Sequence, residues 1–251
     1  MFGAGNVATH ISRHLHFAGH SIACVYSRTH KSAAMLAEEV GSVGTALPGE
    51  VPLSADFFIV CVPDRVISDV VLKFQDRKGI WMHVSGTSSI KVFEGFQSQY
   101  GVLYPLQTMS KERTLSLEET PILVEGSSPE SLEAIKMLAS AISRNVHEMN
   151  SASRQLIHMA AVFANNFSNH MVHLAQQILQ EEEVDVTLLD PMLKETFSKM
   201  SEMGAAAAQT GPALRGDQET MQKHLDLLTK HPEWEKLYTF ISRDIGRFRN
   251  Q

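Results

Sequence analysis

The opening residues of this chain set Gly3, Gly5 and Ala8 in the spacing G-x-G-x-x-A, whose chemistry is the holding of a pyrophosphate. Each small residue has a separate task. Gly3 allows a tight turn off a strand, Gly5 lets a phosphate approach backbone without a Cβ in the way, and Ala8 lets the next helix pack close to a sheet. Asn6 and Val7 begin that helix, so their N–H groups and the positive end of the helix dipole face the phosphates. So short a pattern is weak alone, and its surroundings decide. Ile11, Leu15 and Ala18 keep helical spacing, Gly19 stops the helix, and residues 21–26 form a short apolar run with strand character. Turn, helix, glycine and strand in that order open a βαβ unit.

The end of that strand distinguishes between dinucleotides. An acid about 20 residues past the turn would accept hydrogen bonds from a ribose 2′-hydroxyl. Here the chain reads Ser27-Arg28-Thr29-His30-Lys31, with no acid. A guanidinium fork, two hydroxyls and the Lys31 ammonium suit a 2′-phosphate instead. NADP(H) is therefore expected rather than NAD(H), against the blander reading of a solvated basic loop. Val62 and Pro63 close the apolar run 57–62 and are expected to border the same cofactor.

Further polar residues stand where a substrate would meet the cofactor. His83 and Ser85 share parity on a predicted strand, hence one face of it. Together they offer an imidazole and a hydroxyl to a carbonyl or imine. The competing readings are a core histidine and a turn, residues 85–89, that caps the next helix. On a long predicted helix, His158, Asn165 and Asn169 fall opposite an apolar stripe of Leu156, Phe163, Phe167, Met171, Leu174 and Ile178, with Asn166 and His173 beside them. A solvent-facing stripe favours Lys and Glu over Asn. Asn166 and Asn169 are thus expected to line a cleft and orient substrate, or else to form a buried seam between helices. Arg215, in the Gly- and Pro-framed segment 209–217, is a candidate carboxylate clamp or a structural partner of Asp217.

Positioning these groups requires two kinds of architecture. Up to about residue 150, strand-like runs alternate with helical ones: helices near 9–18, 35–40, 66–74 and 131–143, and strands near 21–26, 57–62, 80–85, 102–104, 121–124 and 146–149. That alternation predicts an α/β domain, residues 1–150, with a doubly wound, mostly parallel sheet. Beyond residue 150 only helices are predicted, at 153–182, 187–208, 217–229 and 233–247. Residues 151–251 are expected to form an all-α domain for substrate and dimerisation, with ligand in the cleft between the two. One feature jars. A strand of roughly five residues should precede Gly3, and only Met1 and Phe2 do. The first strand is expected at the centre of the sheet, so neighbouring strands would be left partly unpaired. The natural protein is accordingly expected to begin upstream, or this chain to have been trimmed.

Composition removes other classes. A net charge of −6 without a basic run argues against a nucleic-acid surface. The sequence has no run of about 18 apolar residues to span a membrane, and, lacking a charged n-region and a cleavage site, its opening residues are not expected to be a signal peptide. Cys24 and Cys61 fall in predicted strands as free thiols, which suits a reducing cytoplasm. His10 and His14 are four apart on one helix but lack a third ligand, so no metal is expected.

Taken together, Gly3-Ala4-Gly5-Asn6-Val7-Ala8, Gly19-His20, Tyr26-Ser27-Arg28-Thr29, His83-Val84-Ser85-Gly86, Tyr104-Pro105-Leu106-Gln107-Thr108, residues 161–167 with Asn169-His170, and Thr210-Gly211-Pro212-Ala213 with Arg215 resemble a known family. It is the Rossmann-like NADP oxidoreductases with a helical C-terminal domain of unassigned function. That family is related to pyrroline-5-carboxylate reductase and the β-hydroxyacid dehydrogenases. The resemblance implies NADP(H) in the first domain and a homodimer through the helical one. The chain departs from the hydroxyacid dehydrogenases in lacking a Lys four residues before an Asn on the long helix, where Ala161 and Val162 stand. The expected function is NADP(H)-dependent reduction of a small C=O or C=N substrate, which can carry a carboxylate. The rival is a non-catalytic NADP(H)-binding dimer that senses redox state.

Overall fold

The computed structural model of this protein describes residues 1–247; the last four residues of the predicted helical domain lie outside them. Seven strands are found among the described residues: β1 (Cys24–Tyr26), β2 (Val43–Thr45), β3 (Ser54–Val60), β4 (Lys78–His83), β5 (Tyr100–Pro105), β6 (Ile122–Gly126) and β7 (Val146–Glu148). β2 pairs with β1, and β3 to β7 pair in sequence order. All pairings are parallel except that of β5 with β6.

Phe2 joins the two sets of strands. It forms parallel bridges to Tyr26 on one side and Val60 on the other, through Phe2 N–H to Ile59 O at 2.8 Å and Cys61 N–H to Phe2 O at 2.7 Å. The first strand is therefore central, as its motif demands, and it is short. Met1 continues the pairing, its amine donating to the Cys24 carbonyl at 2.8 Å and its carbonyl accepting Tyr26 N–H at 2.8 Å, and Met1, Phe2 and residues 21–24 and 54–59 line a cavity of about 480 Å³.

Strand alternation sends successive side chains to opposite faces. Phe58 and Trp81 join Phe2, Tyr26, Phe74 and Phe93 in an aromatic core on one face. Their neighbours Ile59 and Met82 join Leu103, Ile122, Val124 and Ile135 on the other. Phe2 and Phe58 both stack on Trp81, with ring centroids 5.2 and 4.8 Å away, and such pairs add about 0.5–1.5 kcal/mol each beyond burial. Helices α1 (Asn6–Phe17), α2 (His30–Glu39), α3 (Ile67–Lys73) and α4 (Pro129–Ser140) cover the sheet. They supply Ile11 and Leu15, Ala33 and Leu36, Val70 and Val71, and Ile135 and Leu138 to its cores.

The long predicted helix is observed with an interruption. α5 (Ser151–Ala161) runs into a π-helical stretch, Val162–Phe167, and continues as α6 (Ser168–Glu181). By contacts the chain forms two compact units, Met1–Val172 and His173–Gln251. α5 and the π-helical stretch thus belong to the unit that holds the sheet. The second unit is helical, with its longer helices at Asp190–Met203, Gln218–Leu227 and Pro232–Arg247. Gly204, at φ 83°, breaks the helix predicted through residue 208. No helix is long and apolar enough to cross a membrane among the described residues.

Candidate active site

The glycine turn is built as its chemistry requires. Gly3 has φ +105°, and a Cβ there would overlap the Cys61 carbonyl, so no other residue fits. Gly5 is exposed, and a Cβ on it would meet only open space. No side chain caps α1 and no acid lies in its first turn. The N–H groups at its start, which have no intrahelical partner, are left for an anion. Val62 borders Gly3, and the exposed Pro63 follows it. At the end of β1, Ser27 is half-buried, and Arg28, Thr29 and Lys31 are exposed. Arg28 has no ion-pair partner among the described residues. Thr29 precedes α2 without capping it, so its hydroxyl is uncommitted. These residues fit a dinucleotide with a 2′-phosphate: small residues and free N–H groups at the pyrophosphate, a guanidinium and hydroxyls at the ribose.

The polar groups at the ends of β3 and β4 are arranged differently from a simple donor pair. Ser85 Oγ donates to Asp64 Oδ2 at 2.6 Å and accepts from Thr87 N–H at 3.0 Å and Ser88 N–H at 2.8 Å. Its one hydrogen and both lone pairs are spent on the loop. Thr87 Oγ1 donates to the same Asp64 oxygen. His83 is fully buried on the aromatic face, stacked on Phe93 at 5.7 Å. Its Nδ1 accepts from Ser85 N–H at 3.1 Å. Burial first, then the Arg154 charge, pushes the His83 imidazole down to about 4, so it is neutral. Ser85 and His83 Nδ1 therefore hold the loop after β4 in place, and the Ser85 hydroxyl has no hydrogen or lone pair left to offer, whereas His83 Nε2 is buried without a hydrogen-bond partner.

A different pair faces the open end of the sheet. Tyr104, at the end of β5, has its Oη 3.0 Å from Nδ1 of His158 on α5. Gly86 makes this approach feasible, since a Cβ there would overlap the His158 ring. Burial raises the half-buried Tyr104 phenol above its ordinary value, which keeps it a neutral donor.

α5 is held in register by a buried ion pair. Arg154 is fully buried and meets Glu125 Oε2 at 2.5 Å while donating to the Ser88 carbonyl at 2.5 Å. Ser151 Oγ donates to the same carboxylate at 2.7 Å and accepts Ile90 N–H at 3.1 Å. Helix, β6 and the loop after β4 are tied at one point, one turn before His158. No spacing rule links Glu125 to Arg154 across 29 residues. An arginine near a predicted helix start was the only available hint.

Asn165, Asn166 and Asn169 come together at a polar cavity with Gln107, Thr108 and Arg113, all in the first unit. The amides line a cleft rather than a buried seam, and all three are exposed. Arg215 belongs to the second unit. It is exposed at the end of the short helix Pro212–Arg215, between Gly211 and Gly216, both at positive φ. It makes no ion pair among the described residues. Asp217 instead caps the next helix at Thr220 N–H, which holds its carboxyl low.

A glycine turn at the centre of a doubly wound sheet, with donors at the ends of the neighbouring strands, defines a dinucleotide-binding oxidoreductase. The chain matches the family described as NADP oxidoreductase, coenzyme F420-dependent, over residues 1–81, and a domain of unknown function, DUF2520, over residues 120–245. It resembles the putative NADP oxidoreductase BF3122 from Bacteroides fragilis, at 36% identity over 98% of this chain and 96% of that one, with a TM-score of 0.94. The fold is shared with protein TM1727 from Thermotoga maritima, at 22% identity over 100% and 99% of the chains and a TM-score of 0.82. It is shared also with a reductive aminase from Aspergillus terreus in complex with NADPH, at 14% identity over 99% and 96% and a TM-score of 0.73. No curated protein matches the chain in sequence. The chain belongs to the NADP oxidoreductase family whose nucleotide-binding region is followed by the DUF2520 domain, and its cofactor is NADP(H).

Proposed function

We propose that this protein reduces a small carbonyl or imine at the expense of NADPH, with Tyr104 and His158 as its proton-donating pair. The observation that carries the reading is their 3.0 Å contact at the strand ends, on the rim where the glycine turn opens. Bound NADPH supplies the hydride. The protein must then orient the acceptor and deliver a proton to its oxygen or nitrogen. With its hydrogen on Nδ1, His158 donates to Tyr104 Oη, which leaves the phenol hydrogen for the acceptor. The phenol gives that proton to the heteroatom as negative charge develops there, the Nδ1 proton passes to the phenolate, and Nε2 takes one from solvent, so the imidazole stays neutral. Asp64, Ser85 and Thr87 hold the loop that presents Gly86 to His158. Neighbours of the same fold include the Aspergillus terreus enzyme, named a reductive aminase, which supports C=N as well as C=O acceptors.

The same reading takes the helical region as a homodimer surface. Leu156, Met159, Phe163 and Phe167 are exposed along α5 and the π-helical stretch. One apolar stripe on a long helix meets its own copy across a two-fold axis. The direct test incubates NADPH-loaded protein with a panel of ketones, oxo acids and amine–carbonyl mixtures and follows NADPH absorbance. Turnover by wild type that Tyr104→Phe abolishes supports the reading. Tight NADPH binding without turnover of any compound, with NADP+ and NADPH giving different sedimentation, supports the redox-sensing alternative instead.

A further inference from the structure

The cavity at the three asparagines has a volume of about 550 Å³. One wall is the segment after β5, with Gln107, Thr108 and Arg113. The other is the end of the long helix, with Asn165, Asn166 and Asn169. We propose that this cavity is the subsite for a carboxylate group of the substrate, with Arg113 as its counter-charge and the asparagine amides as its lateral donors. The proposal rests on the reductase reading for the molecule to which that carboxylate belongs.

Three observations point to an anion. First, Arg113 carries the one full charge on the lining, no acid accompanies it, and it has no ion-pair partner among the described residues. A guanidinium fork in such a wall matches a planar carboxylate in bidentate fashion. Second, the remaining wall is rich in donors. Gln107 Oε1 already accepts Thr108 N–H at 2.9 Å, which leaves the Gln107 amide nitrogen to donate. The three asparagines add their own amide nitrogens without a charge that would have to be buried.

Third, the backbone departs from regular helix where the amides stand. Asn165 and Asn166 lie inside the π-helical stretch Val162–Phe167. π-Helical turns are rare and collect at functional sites, because the wider turn re-aims side chains. In a regular helix Asn166 would point about 100° away from Asn165. Here both line one cavity, with Asn169 following.

The loop that brings Arg113 is not free to drift. His10 Nε2 meets the Ser110 carbonyl at 3.0 Å, and Arg13 reaches the Lys111 carbonyl at 3.3 Å. Lys111 Nζ donates to the carbonyl of Ala4, inside the glycine turn, at 2.6 Å. One loop thus touches the cofactor turn through Lys111 and lines the cavity through Arg113, two residues apart. That is the geometry for holding a substrate's anionic end at a fixed distance from the dinucleotide.

The test is calorimetry of the full-length, NADPH-loaded protein with three non-reducible probes: oxamate, its uncharged isostere oxamide, and inorganic phosphate. Oxamate is expected to bind at least about tenfold more tightly than oxamide, the scale of a charge-assisted pair. Arg113→Gln should erase that preference while oxamide and NADPH affinities stay as in wild type. Arg113→Lys should keep part of it, and Asn166→Ala should weaken oxamate without changing NADPH. Equal binding of oxamate and oxamide overturns the proposal, as does an Arg113→Gln protein that still prefers oxamate. Phosphate displacing oxamate stoichiometrically at equal or better affinity also overturns it, in favour of a phosphate site. The two readings fail separately. Turnover of neutral ketones with no oxamate binding sinks the subsite alone, and Arg113-dependent oxamate binding with no turnover of any compound sinks the reductase alone.

Discussion

Oη of Tyr104 stands 3.0 Å from Nδ1 of His158, on a contact that joins a strand end to a helix 54 residues later. Each residue alone is unremarkable in the chain. Placed together beside Gly86, they form a hydrogen-bonded pair at the end of the sheet.

Tyr104→Phe should lower kcat by about 10²–10⁴, the usual worth of a positioned proton donor, with NADPH affinity unchanged by fluorescence titration. Gly86→Ala should lower it comparably without touching either donor, because the new methyl would overlap the His158 ring and Cβ. A Gly86→Ala protein with full activity would show that the Tyr104–His158 contact is idle.

Arg154→Met should cost about 3–5 kcal/mol of stability in urea unfolding, since it strands a carboxylate in a largely buried pair. Adding Glu125→Leu should recover much of the loss, because the double variant buries no unpaired charge. A double variant no more stable than the single one would show that the Ser88 and Ser151 contacts dominate instead.

Stability should depend on His83 below neutral pH. Its folded value is pushed down to about 4 from an ordinary 6.5, chiefly by burial. Below 6.5 the unfolded chain takes up a proton that the folded chain refuses. The His83 contribution is therefore complete above pH 6.5 and is lost progressively as pH falls toward 4. His83→Gln should flatten thermal stability across that window, and an unchanged slope would remove His83 as its source.

Arg28→Ala should weaken NADPH binding by about 10–100-fold while leaving NADH nearly unaffected, as expected for loss of one or more charge-assisted bonds to a 2′-phosphate. Parallel titrations with the two cofactors check this. Equal loss for both would place Arg28 away from the phosphate.

Much of the fold was legible because it is written locally. The turn, helix, glycine and strand around Gly3 follow from steric demands on consecutive residues, and the central place of the first strand appears as the two bridges of Phe2. The interruption of the long helix was not legible. Asn165 and Asn169 have the right spacing for an α-helix, and nothing in Val162–Phe167 announces a wider turn. Ser85 was legible as a polar strand end but not in its role, which depends on Asp64, 21 residues earlier, taking its hydrogen.

By itself the sequence determined the nucleotide turn, the basic ribose end and the change from α/β to all-helical character, since each rests on short-range periodicity, turn chemistry or side-chain type. Only the tertiary structure decided which polar residues are spent on the protein and which remain for a ligand. It gave the Ser85 hydroxyl and His83 Nδ1 to the loop, left Tyr104 and His158 facing each other, and set Arg113 opposite three asparagines. The physical reason is that a polar group becomes available or committed through its partners in space, and those partners lie tens of residues away, brought near by the sheet and the Glu125–Arg154 tie.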